Sequence, residues 1–170
     1  HPPAFVRALC AFRYEEPVAG LLNRYKHHGQ LACGHWLAQA LADAVHQHYR
    51  TRGEPLPDAI VPVPLHWRRL QGRGFDQALE TGKVLSRRLH IPLARGLHRL
   101  RHTSSQQGQS REQRQQNLAG AFAFQGNLAG QRIALVDDVL TTGSTATAII
   151  PALQAVGAQD VHVWAIARTP

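Results

Sequence analysis

The chain has 170 residues, of which 44% are hydrophobic and 18% are charged, so it suits one globular domain and excludes a disordered tail, a fibre or a long coiled coil. Its 19 Lys and Arg residues outnumber 11 Asp and Glu residues, and the formal charge of +8 predicts an anionic partner, either nucleic acid or a phosphorylated small molecule. No apolar run approaches the roughly 18 residues of a membrane span. The small number of cysteines favours a reducing, cytoplasmic setting over a disulfide-rich secreted scaffold.

The first third of the chain is predicted to be helical. The segment 17–29 lies between a proline and a glycine, and apolar residues recur at helical spacing from Leu37 to His48. The proline-rich segment 51–58 is predicted to be a loop. We therefore expect residues 1–57 to form a small helical hood in front of a core built from residues 58–170.

From residue 59 onward, strand patterns alternate with helix patterns. Apolar and β-branched runs predict strands at 59–64, 132–138 and 161–167. An amphipathic helix at 78–89 lies between the first two strands, and another at 149–156 lies between the last two. This alternation predicts an α/β fold with a mainly parallel sheet flanked by helices.

The most informative segment is IALVDDVLTTGST at 133–145. An apolar strand brings Asp137 and Asp138 to the sheet edge where ligand-binding crevices form, and we expect both side chains in an open crevice. The helix start and hydroxyls that follow predict a phosphate site formed by Thr141, Thr142, Gly143, Ser144 and Thr145. The carboxylates would repel phosphate and suit sugar hydroxyls or a bridging Mg²⁺, so the whole segment predicts a ribose 5-phosphate pocket.

Other interpretations of the candidate residues are structural. Thr142 or Ser144 would then be a helix N-cap, although the length of the full string favours a binding function. Lys26 is able to contact a phosphate, but as a single lysine it is expected to be solvated, as are His27 and His28. Metalloprotease, hydrolase-elbow and P-loop motifs are absent from the sequence.

The segment 133–145 resembles the phosphoribosyl diphosphate (PRPP) binding signature of type I phosphoribosyltransferases. Two further segments, 62–78 and 101–122, precede it in the order found in the ComF/GntX family of phosphoribosyltransferase-like proteins. The string YKHHGQ at 25–30 resembles the basic segment that this family carries ahead of its core. The resemblance covers nearly the whole chain and implies the type I phosphoribosyltransferase fold.

Three features depart from the family pattern, and one of them is Pro151, which is unusual within the predicted helix at 149–156. Family members usually carry an N-terminal four-cysteine zinc module, for which Cys10 and Cys33 are too few, so we expect that module to be absent or removed. Asp76 stands where the family commonly has Asn.

The resemblance also implies roles for individual residues. The turn after the first core strand would hold the diphosphate of PRPP through Arg68, Arg69 and Arg73. The polar segment 103–117 takes the place of the family's flexible catalytic loop, from which Arg111 and Arg114 would meet the leaving diphosphate. Asp137 and Asp138 would bind the ribose hydroxyls and Mg²⁺. The alternatives are a solvated basic loop for the first segment and a disordered insertion for the second.

Three functions are consistent with these features. The first is a Mg²⁺-dependent phosphoribosyltransferase with an unidentified acceptor. The second is a non-catalytic PRPP- or nucleotide-binding protein that acts in DNA uptake (competence) or in DNA utilisation. The third is direct DNA binding through the arginines, against which stand the lack of a recognition helix and the 6% content of aromatic residues. The oligomeric state stays open.

Overall fold

The computed structural model describes residues 5–65, 75–100 and 120–170. In chain order the elements are β1 (Arg7–Arg13), α1 (Val18–His28), α2 (Leu31–Arg52), β2 (Ala59–Pro62), α3 (Gln77–Leu89), β3 (Leu97–Arg99), β4 (Phe122–Phe124), β5 (Arg132–Leu140), α4 (Ser144–Gln154) and β6 (Asp160–Arg168). None of the helices in these ranges combines the length and the apolar character that a membrane crossing requires.

Four strands form the main sheet in the spatial order β1-β6-β5-β2, and every neighbouring pair is parallel. Strands β3 and β4 form a separate antiparallel pair. The central strands β5 and β6 are covered on both faces, which explains why 133–136 and 163–167 are continuous buried runs. The predicted α/β class, with a mainly parallel sheet flanked by helices, is confirmed.

Two apolar layers hold the helices against the sheet. On one face Leu41 of α2 and Leu85 of α3 are fully buried in the same cluster as Trp164 of β6. On the other face Ile149 of α4 is buried in a cluster with Leu135 of β5, which also receives the β3–β4 pair. Burial of each such side chain contributes roughly 1.5–3 kcal/mol, so both layers stabilise the sheet that positions the site.

The prediction of a helical N-terminal third is wrong for its first element. Residues Arg7–Arg13 form an edge strand of the main sheet, parallel to β6. Leu9 packs against one apolar layer and Cys10 against the other, as expected for successive residues of a strand covered on both faces. The segment is too short to show a helical or an alternating period clearly. Its partner β6 lies near the other end of the sequence, so no local pattern indicates the pairing.

Helices α1 and α2 lie within the predicted hood segment and close to the predicted bounds. They end at Gly29 and Gly53, whose φ angles of 60° and 61° lie in the left-handed region that favours glycine. Helix α2 continues into the predicted loop as far as Arg52, so the loop begins at Gly53.

Candidate ligand-binding site

The carboxylate pair lies where strand β2 ends and its neighbour β5 continues. Strand β2 pairs with β5 as far as Pro62 opposite Val136, whereas β5 runs on beside β6 to Leu140. Asp137 and Asp138 therefore lie just beyond the carboxyl end of β2, the position at which ligands bind in open α/β sheets. A cavity of about 230 Å³ is lined by both carboxylates and by the residues that follow β2.

Polar side chains from several elements meet in this cavity. They are Lys26 of α1, Asp76 and Gln77 at the start of α3, Arg99 of β3, and Asp137 and Asp138 of β5. Both signs of charge face one enclosed space, so the cavity suits a ligand with several polar groups rather than an apolar one.

Three groups surround the Asp138 carboxylate. Nζ of Lys26 lies 2.6 Å from Oδ2, Nε2 of Gln77 donates to the same oxygen at 3.3 Å, and the backbone N–H of Val139 donates to Oδ1 at 2.7 Å. Burial by itself would raise the pKa of Asp138, but the charge and hydrogen bond of Lys26 outweigh it, so this pKa lies below its ordinary value. Asp138 is therefore ionised at neutral pH.

The pKa of Asp137 is shifted in the opposite direction, above its ordinary value. Its Oδ1 accepts the backbone N–H of Asp138 at 2.8 Å. Burial, followed by the neighbouring Asp138 charge, raises the pKa of Asp137 to about 8. The two carboxylates were expected in an open crevice; both line the cavity but are half-buried, and Lys26 and Gln77 lie against Asp138 and leave 18% of its side chain exposed.

The predicted phosphate-binding residues form the turn between β5 and α4. Gly143 is buried with φ of 76°, and a Cβ there would lie 3.1 Å from the ring of Phe5. Gly143 occupies the N-cap position, so no side chain caps α4, and the Ser144 N–H meets Thr142 Oγ1 only at 3.4 Å. The first N–H groups of α4 remain for another acceptor, which is the arrangement that binds phosphate at helix starts.

Asp137 and Thr145 connect this turn with the main cavity. Both line the cavity of about 230 Å³ and also a smaller one of about 20 Å³ beneath the turn. Thr141, Gly143 and Ser144 line the smaller cavity. One ligand is therefore able to place an anionic group on the turn and neutral polar groups beside the carboxylates.

Asp76 has a structural role at the rim of the cavity. Its Oδ1 accepts the N–H of Leu79 at 3.1 Å and caps α3, while its Oδ2 accepts the N–H of Leu65 at 3.3 Å. The side chain thereby ties the start of α3 to the segment after β2. An Asn side-chain oxygen would serve equally well as the helix cap, but its NH2 group cannot accept from the Leu65 N–H, so the second contact needs the carboxylate.

Comparisons with known proteins identify the family and the fold. The family model described as "Phosphoribosyl transferase domain" matches residues 76–170. Competence protein F of Haemophilus influenzae is 39% identical over 98% of this chain and 74% of its own length, and DNA utilization protein YhgH of Escherichia coli K12 is 36% identical over 99% and 74%. The chain belongs to the ComF family of phosphoribosyltransferase-like proteins. The solved purine phosphoribosyltransferase of Pyrococcus horikoshii superposes on this chain with a TM-score of 0.51 and 21% identity. The superposition covers 79% of this chain and 76% of the other, so this chain has the type I phosphoribosyltransferase fold.

Several predicted site residues of this ComF-family chain lie outside the described residues. They are the diphosphate candidates Arg68, Arg69 and Arg73 and the catalytic-loop candidates Arg111 and Arg114. Their roles stay predictions.

Sequence reasoning missed two residues that line the candidate site. Lys26 was expected to be solvated, yet it forms the ion pair with Asp138, whereas His27 and His28 are exposed as expected. Gln77 was not singled out. The signals were present in the two segments that resemble the family, 25–30 and 62–78, but nothing local indicated that they meet.

Proposed function

We propose that this ComF-family protein binds PRPP and transfers its 5-phosphoribosyl group to an acceptor with release of diphosphate. The observation that carries the proposal is the joint lining of one cavity by an aspartate pair and by the uncapped start of α4. A phosphate on the turn 141–145 places the attached sugar next to Asp137 and Asp138. This arrangement matches the chemistry of a sugar phosphate, anionic at one end and hydroxylated at the other.

The residues would divide the work as follows. The 5-phosphate takes the N–H groups at the start of α4, and ionised Asp138 accepts hydrogen bonds from ribose hydroxyls. The bond between C1 and the diphosphate oxygen breaks, and the electron pair leaves with the diphosphate. The oxocarbenium-like sugar that develops is stabilised by the negative charge beside it. A lone pair of the acceptor then forms the new bond to C1, and any proton on the attacking atom passes to the released diphosphate or to water. The predicted arginines at 68, 69 and 73 would receive the diphosphate, and Arg111 and Arg114 would close over it.

Mg²⁺ fits this donor set only together with the substrate. Within the described ranges, no group of three or more His, Cys, Asp and Glu side chains is placed to hold a metal by itself. Asp137 after loss of its proton, and Asp138 after Lys26 has moved away, would match the one or two protein ligands that Mg²⁺ takes when phosphates supply the others. Bound in this way, the ion would neutralise charge on the departing diphosphate.

A second function is PRPP binding without turnover, in DNA uptake or DNA utilisation. The names of the two relatives, competence protein F and DNA utilization protein, favour this alternative. The ion pair between Lys26 and Asp138 also favours it, because a cation already occupies the carboxylate that transfer chemistry would use.

Titration calorimetry and diphosphate release separate these functions. PRPP with Mg²⁺ is titrated into the wild type and into the Asp137→Asn/Asp138→Asn double variant. The control variant is Asp160→Asn, which alters the first residue of β6, at the end of the sheet away from the cavity. We expect binding to the wild type and the control and a loss of about 100-fold in the double variant. Diphosphate release that depends on an added nucleobase supports transfer, and binding without release supports the second function. Wild-type protein that binds neither PRPP nor ribose 5-phosphate contradicts both.

A further inference from the structure

Gln77 is a buried polar side chain whose hydrogen-bonding capacity is only half used. The residue is 3% exposed and lines the main cavity. Its Nε2 donates to Asp138 Oδ2 at 3.3 Å, whereas its Oε1 has no hydrogen-bond partner among the described residues. A buried acceptor without a partner costs about 1–3 kcal/mol, so it marks a place where a ligand donor would be favourable.

The backbone around Gln77 holds this acceptor in place. Gln77 is the first residue of α3, directly after Asp76, whose carboxylate is fixed to Leu79 and Leu65. The carboxamide is further oriented by its bond to Asp138. With Nε2 committed, the carboxamide has only its buried acceptor Oε1 left for a ligand.

The charges around Gln77 determine which ligand group fits. A phosphate oxygen is excluded, since it would face the carboxamide oxygen and the ionised Asp138. A metal ion bound to Oε1 itself is disfavoured while the Lys26 ammonium lies 2.6 Å from Asp138, because the two positive charges would repel each other. A neutral donor such as a hydroxyl satisfies Oε1 without adding charge.

We infer that Gln77 Oε1 accepts a hydrogen bond from a sugar hydroxyl next to the one bound by Asp138, so that the site selects ribose phosphates over deoxyribose phosphates. This inference rests on the proposed function, which places the sugar beside Asp138. Gln77 acts as a specificity-determining residue, because a sugar that lacks the hydroxyl leaves Oε1 buried and unpaired.

The test compares three sugar phosphates on two proteins. Ribose 5-phosphate, 2-deoxyribose 5-phosphate and 3-deoxyribose 5-phosphate are titrated into the wild type and into Gln77→Met, which keeps the side-chain length and removes the acceptor. One of the two deoxy sugars lacks the hydroxyl that Gln77 binds. We expect the wild type to bind ribose 5-phosphate about five- to tenfold more tightly than that deoxy sugar. In Gln77→Met this preference falls to within twofold.

A merely structural role of Gln77 predicts a different pattern. If the side chain only positions Asp138, Gln77→Met weakens all three ligands by the same factor, and the inference is overturned. A second measurement needs no variant. In a crystal of the wild type with ribose 5-phosphate, Oε1 should lie within about 3.2 Å of a sugar hydroxyl. A separation beyond about 4 Å from every ligand hydroxyl overturns the inference alone, whereas failure of the wild type to bind any of the sugars overturns the proposed function as well.

Discussion

Polar residues gather at both ends of the main sheet, and the two groups are paired in different ways. Where the strands begin, the Arg132 guanidinium donates to the carbonyls of Pro55 and Leu56 at 3.1 and 2.7 Å, and its backbone N–H donates to Asp58 at 2.8 Å. These partners are backbone groups and side chains fixed by the fold. The interactions tie the loop after α2 to the sheet.

The same end contains a second fixed cluster between α2 and the sheet. The Tyr49 hydroxyl is hydrogen-bonded to Nδ1 of His162, and Arg7 forms an ion pair with Glu54. Burial, above all, lowers the pKa of His162, so its ring is neutral near pH 7. This cluster joins α2 to strands β1 and β6.

Where the strands end, the polar groups face a cavity instead. Asp138 is paired with Lys26, yet among the described residues Gln77 Oε1 has no hydrogen-bond partner and no side chain caps α4. The difference teaches that charge alone does not identify a functional site. Paired groups hold the structure together, whereas groups that line a cavity and are left incompletely paired are available to a ligand. Four predictions test this distinction.

The largest effect is expected for the ion pair at the cavity. Lys26→Met removes the counter-ion of a largely buried carboxylate and should lower the free energy of unfolding by about 2 kcal/mol at pH 7. The loss should shrink toward pH 4, because without Lys26 burial raises the pKa of Asp138, so the carboxyl of the variant takes up a proton and becomes neutral as the pH falls. Urea unfolding at both pH values measures this.

The matched control is Lys83→Met, which breaks the more exposed ion pair with Glu80 on α3. That change should cost less than about 0.5 kcal/mol. Equal losses in the two variants would mean that the cavity does not differ from the protein surface.

At the other end of the sheet, Arg132→Met should destabilise without affecting the ligand. Loss of the guanidinium hydrogen bonds should lower the free energy of unfolding by about 1–2 kcal/mol. The affinity for ribose 5-phosphate should stay within twofold of wild type. A large loss of affinity in a folded variant would show that the two ends are coupled.

Asp137 should make stability depend on pH. Because its pKa is raised to about 8, the stability associated with the group is present below about pH 4 and is lost as the pH rises toward 8. The difference in the free energy of unfolding, wild type minus Asp137→Asn, should fall by about 1 kcal/mol or more between pH 5 and pH 8. A difference that does not vary with pH would contradict the raised pKa.

The smallest effect is expected for Tyr49→Phe. Removing the hydroxyl leaves Nδ1 of buried His162 without this partner and should cost about 1 kcal/mol. Tyr14→Phe, at a half-buried tyrosine, is the matched control and should stay within about 0.5 kcal/mol. Thermal unfolding of the two variants compares them directly, and a larger loss for Tyr14→Phe would contradict the assignment.

The parts of the fold that the sequence predicted well are those with long local patterns. Residues 133–136 are a continuous apolar run, as in a strand that is buried on both faces, and the apolar residues from Ala78 to Leu89 recur at helical spacing. Both elements form where expected. Strand β1 was missed because a seven-residue edge strand has little pattern of its own. It is held by β6, and no local signal reports such a partner.

The amino-acid sequence by itself determined the aspartate pair and the hydroxyl-rich turn, because these groups are covalent neighbours on one strand and the helix start after it. Tertiary structure decided the rest of the site. Packing of α1 and α3 onto the sheet brings Lys26 and Gln77 to Asp138. It thereby changes two exposed carboxylates into a half-buried pair with opposite pKa shifts, since burial and ion pairing depend on distances between segments far apart in the chain.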